Sequence, residues 1–185
     1  VGISLGLLAG FGGSLMNELI ERVIDIALAT PEILVALALA AIFGRSLLVV
    51  MIAVSLVWWA YYARVVRGQV LRLRNMDYIV AVQALGASKA RILFRHILPN
   101  TMPEVLVMVS LNMSAAILIE SGLSYLGLGS QPPNPSWGGM LSTARNYLQT
   151  SPWLATIPGV AIILTVLGFN FLGDGLRDIL DPRMR

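Results

Sequence analysis

An all-α, polytopic membrane protein is the fold class this sequence predicts, and three observations predict it. Of 185 residues, 57% are hydrophobic and only 12% are charged, whereas a soluble domain carries charge on about a quarter of its residues. Several apolar runs approach the roughly 20 residues that a helix needs to cross about 30 Å of hydrocarbon. The basic residues cluster in particular loops, as the positive-inside rule demands of a chain threaded back and forth through a bilayer. The whole of 1–185 therefore reads as a single transmembrane domain with about five segments.

Val1 to Phe11 comes first, spanning only about 16 Å as a helix, and it reads as the end of a truncated span. A cleaved signal peptide would need a positive flank that this stretch lacks. Gly2, Gly6 and Gly10 recur every four residues, the spacing of a helix-packing face. Full spans follow at approximately 23–43, 47–63, 103–126 and 153–173. Pro31 is expected to kink the first of these, and Pro158-Gly159 the last.

Loop charge gives the orientation. Between the 47–63 and 103–126 spans lie Arg64, Arg67, Arg72, Arg74, Lys89, Arg91 and Arg95, so the loop at 64–102 is placed in the cytoplasm. Threading from it puts Asn17 to Arg22 inside, Gly44 to Ser46 outside, 127–152 outside, and the C-terminus inside with Arg177, Arg183 and Arg185. All of the thirteen Lys and Arg except Arg45 and Arg145 then face the cytoplasm. This explains the net charge of +3 by topology, and no nucleic-acid partner is expected.

The outer loop holds Gln131-Pro132-Pro133-Asn134-Pro135, whose prolines forbid a regular helix. Ser136 is placed to cap a short surface helix running to about Leu148, with Trp137 and Tyr147 at headgroup depth.

The inner loop is structured as well. Asp77 to Leu85 and Lys89 to Ile97 read as two short amphipathic helices. Gly86 can end the first in a left-handed conformation, Ser88 can cap the second, and Pro99 is expected to stop it. Arg91 and Arg95 share one face, with Ile92, Leu93, Phe94 and Ile97 over the remaining surface.

Those residues resemble a family. Ala81, Gly86 and Leu98-Pro99 are similar to the cytoplasmic loop of ATP-binding-cassette importer permeases, which reads Glu-Ala-Ala, three residues, Gly, nine residues, Ile, one residue, Leu-Pro. Val80 replaces the glutamate, Val82 the second alanine and His96 the isoleucine. Arg95-His96-Ile97-Leu98-Pro99-Asn100, Gly129-Ser130-Gln131-Pro132-Pro133 with Trp137-Gly138, and Gly173-Asp174-Gly175-Leu176-Arg177-Asp178 with Asp181-Pro182 resemble the second permease subunit of dipeptide, oligopeptide and nickel importers. The resemblance implies a type I importer permease fold in the cell membrane. It also implies a second homologous permease, ATP-binding ATPase subunits, and an extracytoplasmic solute-binding protein. It places the ATPase-docking surface on Ala81, Ala84, Leu85, Gly86, Ala87, Ser88, Arg91, Arg95, Leu98 and Pro99, with 64–102 as the coupling loop.

Chemistry in the chain itself is not expected. There is no phosphate-cradling Gly-rich loop with Lys and Ser or Thr, no cysteine and one histidine, His96. That leaves no nucleophilic triad, metal cage or cofactor site to assign. Carboxylates within spans are costly and must face a partner, a cavity or the interface. Asp25 is placed to snorkel, and Glu32 beside Pro31 serves either a kink or a solute contact. Glu120 either pairs between helices or lines a translocation path, for which Asn112 and Asn170 are further candidates. Ser110, Ser114 and Ser121 share a face suited to close helix packing or to a polar pore. Arg177 with Asp178 and Asp181 either anchors the C-terminal segment or lies solvated. An ion-gradient-driven secondary transporter is the alternative, but it would show more intramembrane ionisable residues and paired broken helices. A membrane anchor would leave the structured basic loop unexplained.

Overall fold

The computed structural model describes residues 1–180, and they are helical throughout apart from short connections. The terminal features Asp181, Pro182, Arg183 and Arg185 lie outside the described residues. The helices are α1 Gly2–Phe11, α2 Ser14–Ala29, α3 Glu32–Phe43, α4 Leu47–Leu73, α5 Asp77–Ala84, α6 Lys89–Ile92, α7 Leu98–Tyr125, α8 Trp137–Ala144 and α9 Trp153–Leu180. A π turn, Leu93–Ile97, joins α6 to α7, and a 3-10 turn, Arg145–Tyr147, follows α8. Three helical runs are long and apolar enough to span a bilayer: Leu47–Leu73, Lys89–Tyr125 and Trp153–Leu180. The pair α2 and α3 gives a fourth if it forms one span.

Two expectations about proline are corrected. A single kinked helix over 23–43 is not found: α2 ends at Ala29, Thr30 and Pro31 are extended, and α3 starts at Glu32. The ring of Pro31 pushes the preceding residue out of helical geometry, and Thr30 Oγ1 donates to Ile26 O at 3.0 Å, closing the end of α2. Pro99, by contrast, does not stop a helix. The chain widens into the π turn, where the Leu98 N–H reaches back five residues to Leu93 O, and Pro99 enters as the second residue of α7. Inside a continuous helix a proline lacks an N–H donor and crowds the preceding turn, and the wider register of the π turn just before it gives the ring room. Pro158 likewise lies inside α9.

The described residues form two compact units. The first comprises 1–30, 56–108 and the residues from 176 onward. In it α1 lies against α4 along its glycine stripe. A Cβ on Gly6 would come within 2.9 Å of Val66 Cβ, and one on Gly10 within 2.6 Å of Val70 Cβ. The backbones approach as closely as they do because glycine stands at each crossing. Around this contact Leu7, Val66, Val70 and Leu73 are buried with Ile79, Ile92, Ile97 and Val105. A neighbouring cluster joins Ala9, Ala60 and Ala63 to Ile20 and Ile24 of α2.

The second unit comprises 31–55 and 109–175. Ala36 of α3, Val50 and Ala53 of α4 and Leu123 of α7 form its core, with Leu128 packed on them. Here too polar and small residues make the crossings. Ser114 Oγ donates to Val166 O at 3.0 Å, and a Cβ on Gly173 would meet Ser110 Oγ at 2.8 Å. Ser110, Ser114 and Ser121 are all buried, so their shared face is a packing face. In both units large apolar side chains are exposed, Leu15 and Leu19 in the first and Ile42, Met51, Leu118 and Leu164 in the second, the pattern of a chain solvated by lipid.

The glycine crossing yields a paired prediction. Gly6→Val should destabilise the detergent-solubilised protein by about 1–3 kcal/mol through overpacking against α4. Gly68→Ala, where an added Cβ meets nothing, should be neutral or stabilising by up to about 1 kcal/mol from helix propensity. Thermal unfolding of the two variants in the same detergent measures the sign of each.

Candidate functional site

The sequence singled out the α5–α6 segment, and its turn is built as the residues dictate. Helix α5 ends at Ala84 with Leu85 as cap. The Gly86 N–H donates to Gln83 O at 3.0 Å and the Ala87 N–H to Val82 O at 3.3 Å, the two reverse bonds of a Schellman motif. Gly86 has φ +82, a conformation that costs an L-residue roughly 1–2 kcal/mol. A Cβ there would touch nothing within 4 Å, so glycine is required by the backbone dihedral and not by crowding. Ser88 then caps α6, its Oγ accepting from the Arg91 N–H at 3.3 Å.

The segment has an inner and an outer face. Ile79, Ile92 and Ile97 are at most 1% exposed, anchored in the core shared with α1, α4 and α7. Val82 and Ala87 pack beside them, supplying the apolar contact that commonly accompanies a Schellman turn. On the outside, Ala81, Ala84, Leu85, Gly86, Ser88, Arg91, Arg95 and Pro99 are exposed, with Leu85 at 88%. Ala87 and Leu98 are half-buried against the inner core. The ten expected docking residues thus divide into eight that form the outer face and two that help hold it in place.

Sequence reasoning missed three contributors to that face: Tyr78, Val80 and Phe94 are all exposed, Phe94 at 64%. Phe94 had looked like part of an apolar covering, but the π turn changes the angular step per residue, so the period of an α-helix misassigns it. His96 is half-buried, its ring 6.5 Å from that of Tyr78, which ties the π turn to the start of α5.

The loop's cations also divide. Arg64 pairs with Asp25, and Arg67 with Glu21 at 2.8 Å and Asn17 at 2.7 Å. Arg72 reaches Glu104 at 3.3 Å, and Arg74 donates to Gly10 O at 3.0 Å. These four belong to the scaffold, and Asp25, expected to snorkel, is held by a specific partner. Lys89, Arg91 and Arg95 make no ion pair among the described residues and are exposed. The outer face is therefore apolar and cationic.

The three residues expected to line a pathway fall in the second unit. Asn112, Glu120 and Asn170 are half-buried there. Glu120 Oε1 accepts from Ser124 Oγ at 2.6 Å, a partner four residues along its own helix, and Ser124 Oγ accepts from the Ser130 N–H at 3.1 Å.

Comparison with known proteins gives the chain's relatives. The family described as "Binding-protein-dependent transport system inner membrane component" matches residues 2–185. The chain is 47% identical, over all its length and 60% of the relative's, to the dipeptide transport system permease protein of Alkalihalophilus pseudofirmus. It is 44% identical to the glutathione transport system permease protein of Pectobacterium atrosepticum, covering 62% of that protein. It is 43% identical to the oligopeptide transport system permease protein of Bacillus subtilis, covering 61% of that protein. The chain thus spans about three-fifths the length of the curated relatives it matches.

Since only the dihedral demands glycine at position 86, Gly86→Asn should retain the turn, because asparagine tolerates the left-handed region. Gly86→Val should raise amide exchange across 77–92 by about tenfold, the equivalent of 1–2 kcal/mol of strain. Hydrogen exchange read by mass spectrometry on the two variants distinguishes a dihedral requirement from a steric one.

Proposed function

The chain belongs to the family of binding-protein-dependent transport system inner membrane components, multi-pass membrane proteins, and from that membership we propose that it is the permease subunit of an ATP-driven peptide importer. The observation that carries the reading is the helix pair of α5 and α6 with its apolar and cationic outer face. ATP hydrolysis belongs to partner ATPase subunits, one of which receives this face in a surface cleft. A second homologous permease completes the pathway, and a solute-binding protein delivers the solute from outside. The entire chain acts as one permease domain, with 64–102 as its cytoplasmic coupling loop and 127–152 as its external loop. The C-terminus is cytoplasmic, on the same side as the loop that carries most of the charge. Peptides are the preferred solute class, because the relatives named above are permeases for dipeptides, oligopeptides and glutathione.

The physical logic is one of coupling. When the ATPases close on ATP they move the docked helix pair, and α6 passes through the π turn into α7 without interruption, a run of 37 residues. Movement imposed on the pair is delivered directly to that helix and shifts the equilibrium between inward- and outward-open states. Asn112 and Asn170 are proposed for the pathway that these states expose in turn, while Glu120, a further candidate in the sequence, is engaged by Ser124 of its own helix.

Reconstitution of the chain with its permease partner, ATPases and binding protein tests the proposal. Wild type should couple dipeptide uptake to ATP hydrolysis. Gly86→Val should cut uptake by about tenfold or more, because strain at the turn misplaces the docking face. Unchanged uptake in that variant, or uptake driven by an ion gradient through this chain alone, would overturn the assignment. Charge reversal of the outer face offers a second check. Arg91→Glu with Arg95→Glu should weaken ATPase co-purification by about tenfold, since like charges are then set against the cleft. Arg67→Glu should act instead by destabilising the scaffold.

A further inference from the structure

The external loop is fastened to the last turn of α7 by two backbone bonds, the Gly127 N–H to Ser124 O at 3.0 Å and the Leu128 N–H to Leu123 O at 2.8 Å, and by one buried hydroxyl. Ser124, 3% exposed, has one proton to give, and it donates that proton to Glu120 Oε1 at 2.6 Å. The same oxygen accepts the Ser130 N–H at 3.1 Å. A carboxylate acceptor fixes the direction of the hydroxyl and polarises it, which makes its oxygen the better acceptor for the loop amide. A Cβ on Gly129 would overlap the Ser124 hydroxyl, so the loop backbone is pressed against this atom. Gln131 Nε2 donates to Gly127 O at 3.1 Å and Gly129 O at 3.2 Å, folding the loop back over the junction. The fastened loop frames a cavity of about 480 Å³ bordered by Ser124, Ser130, Gln131, Pro133, Met140 and Leu154.

We propose that Glu120 is a positioning residue: through Ser124 it holds the 127–136 loop in the shape the importer presents to its binding protein. The proposal rests on the reading of 127–152 as external in an importer. It makes the carboxylate's work that of a hydrogen-bond acceptor at position 120, which glutamine also supplies. A role for Glu120 as a charge in the solute pathway would not be met by glutamine.

The test uses the assembled importer in nanodiscs with Glu120→Ala, Glu120→Gln, Ser124→Ala and the Glu120→Ala/Ser124→Ala double variant. Two quantities are read: amide exchange over 127–136, and ATP hydrolysis as a function of binding-protein concentration with dialanine as solute. Glu120→Ala should speed loop exchange by about tenfold, the loss of one hydrogen bond to a charged acceptor. It should also raise the half-saturating concentration of binding protein several-fold at an undiminished maximal rate. Glu120→Gln should restore both quantities. Ser124→Ala should reproduce Glu120→Ala, and the double variant should add nothing, as expected of residues acting in series. Wild-type exchange in Glu120→Ala, or equal exchange in the Ala and Gln variants, overturns the proposal. A lower maximal rate with unchanged exchange places Glu120 in the pathway and overturns it too. Should Glu120→Ala fail to assemble, Glu120→Gln and Ser124→Ala decide by the same readings. A wild-type complex that the binding protein does not stimulate counts against the importer reading, while the exchange arm still decides the fastening.

Discussion

A chain solvated by hydrocarbon gains nothing by burying one apolar surface against another, because lipid tails are as apolar as leucine. Its helices must be held by close backbone approach and by polar links, and these recur at the described crossings. Gly2, Gly6 and Gly10 bring α1 onto α4, while Ser110, Ser114 and Gly173 bring α7 and α9 together. Arg64 and Arg67 join α4 to the acidic side of α2. The α5–α6 segment joins them by a different means, adding Ile79, Ile92 and Ile97 to the apolar cluster that α1, α4 and α7 share.

The parts of this structure legible in the sequence are those governed by local chemistry. Gly86 and Ser88 specify a Schellman turn followed by an N-cap, and both are present atom for atom. Ser136 caps α8 in the same way, although that helix gives way to a 3-10 turn before Leu148. The glycine stripe of α1 was readable from its spacing because a four-residue period on a helix is a face. The hydrophobic runs located the long helices because length against bilayer thickness is a composition question.

The remainder depended on information that a local window does not hold. Proline at 31 and at 99 has the same chemistry, yet one separates two helices and the other enters a helix through a π turn. The choice lies in the hydrogen-bond register before the ring, which no apolar period records. The loop arginines look equivalent in a charge tally, but Arg67 is bound to Asn17 and Glu21, about fifty positions away in sequence. Positive-inside counting placed them on a side without revealing which were already engaged. Phe94 faces outward for a related reason: the α-helical period that would have buried it fails across a π turn.

Helix α7 draws these strands together. Its first residues continue the π turn from the α5–α6 pair, and its last two turns carry Glu120 and Ser124, to which the 127–136 loop is fastened. On the proposed mechanism, motion received at Leu98 travels along the same element that holds the 127–136 loop. Coupling requires a physically continuous element with two arrangements that both ends can bias, and an uninterrupted helix supplies the continuity at no cost in extra contacts. The fastening must then carry the loop with the helix, and a hydrogen-bond acceptor at position 120 serves this by orienting the Ser124 hydroxyl whose oxygen receives the Ser130 N–H.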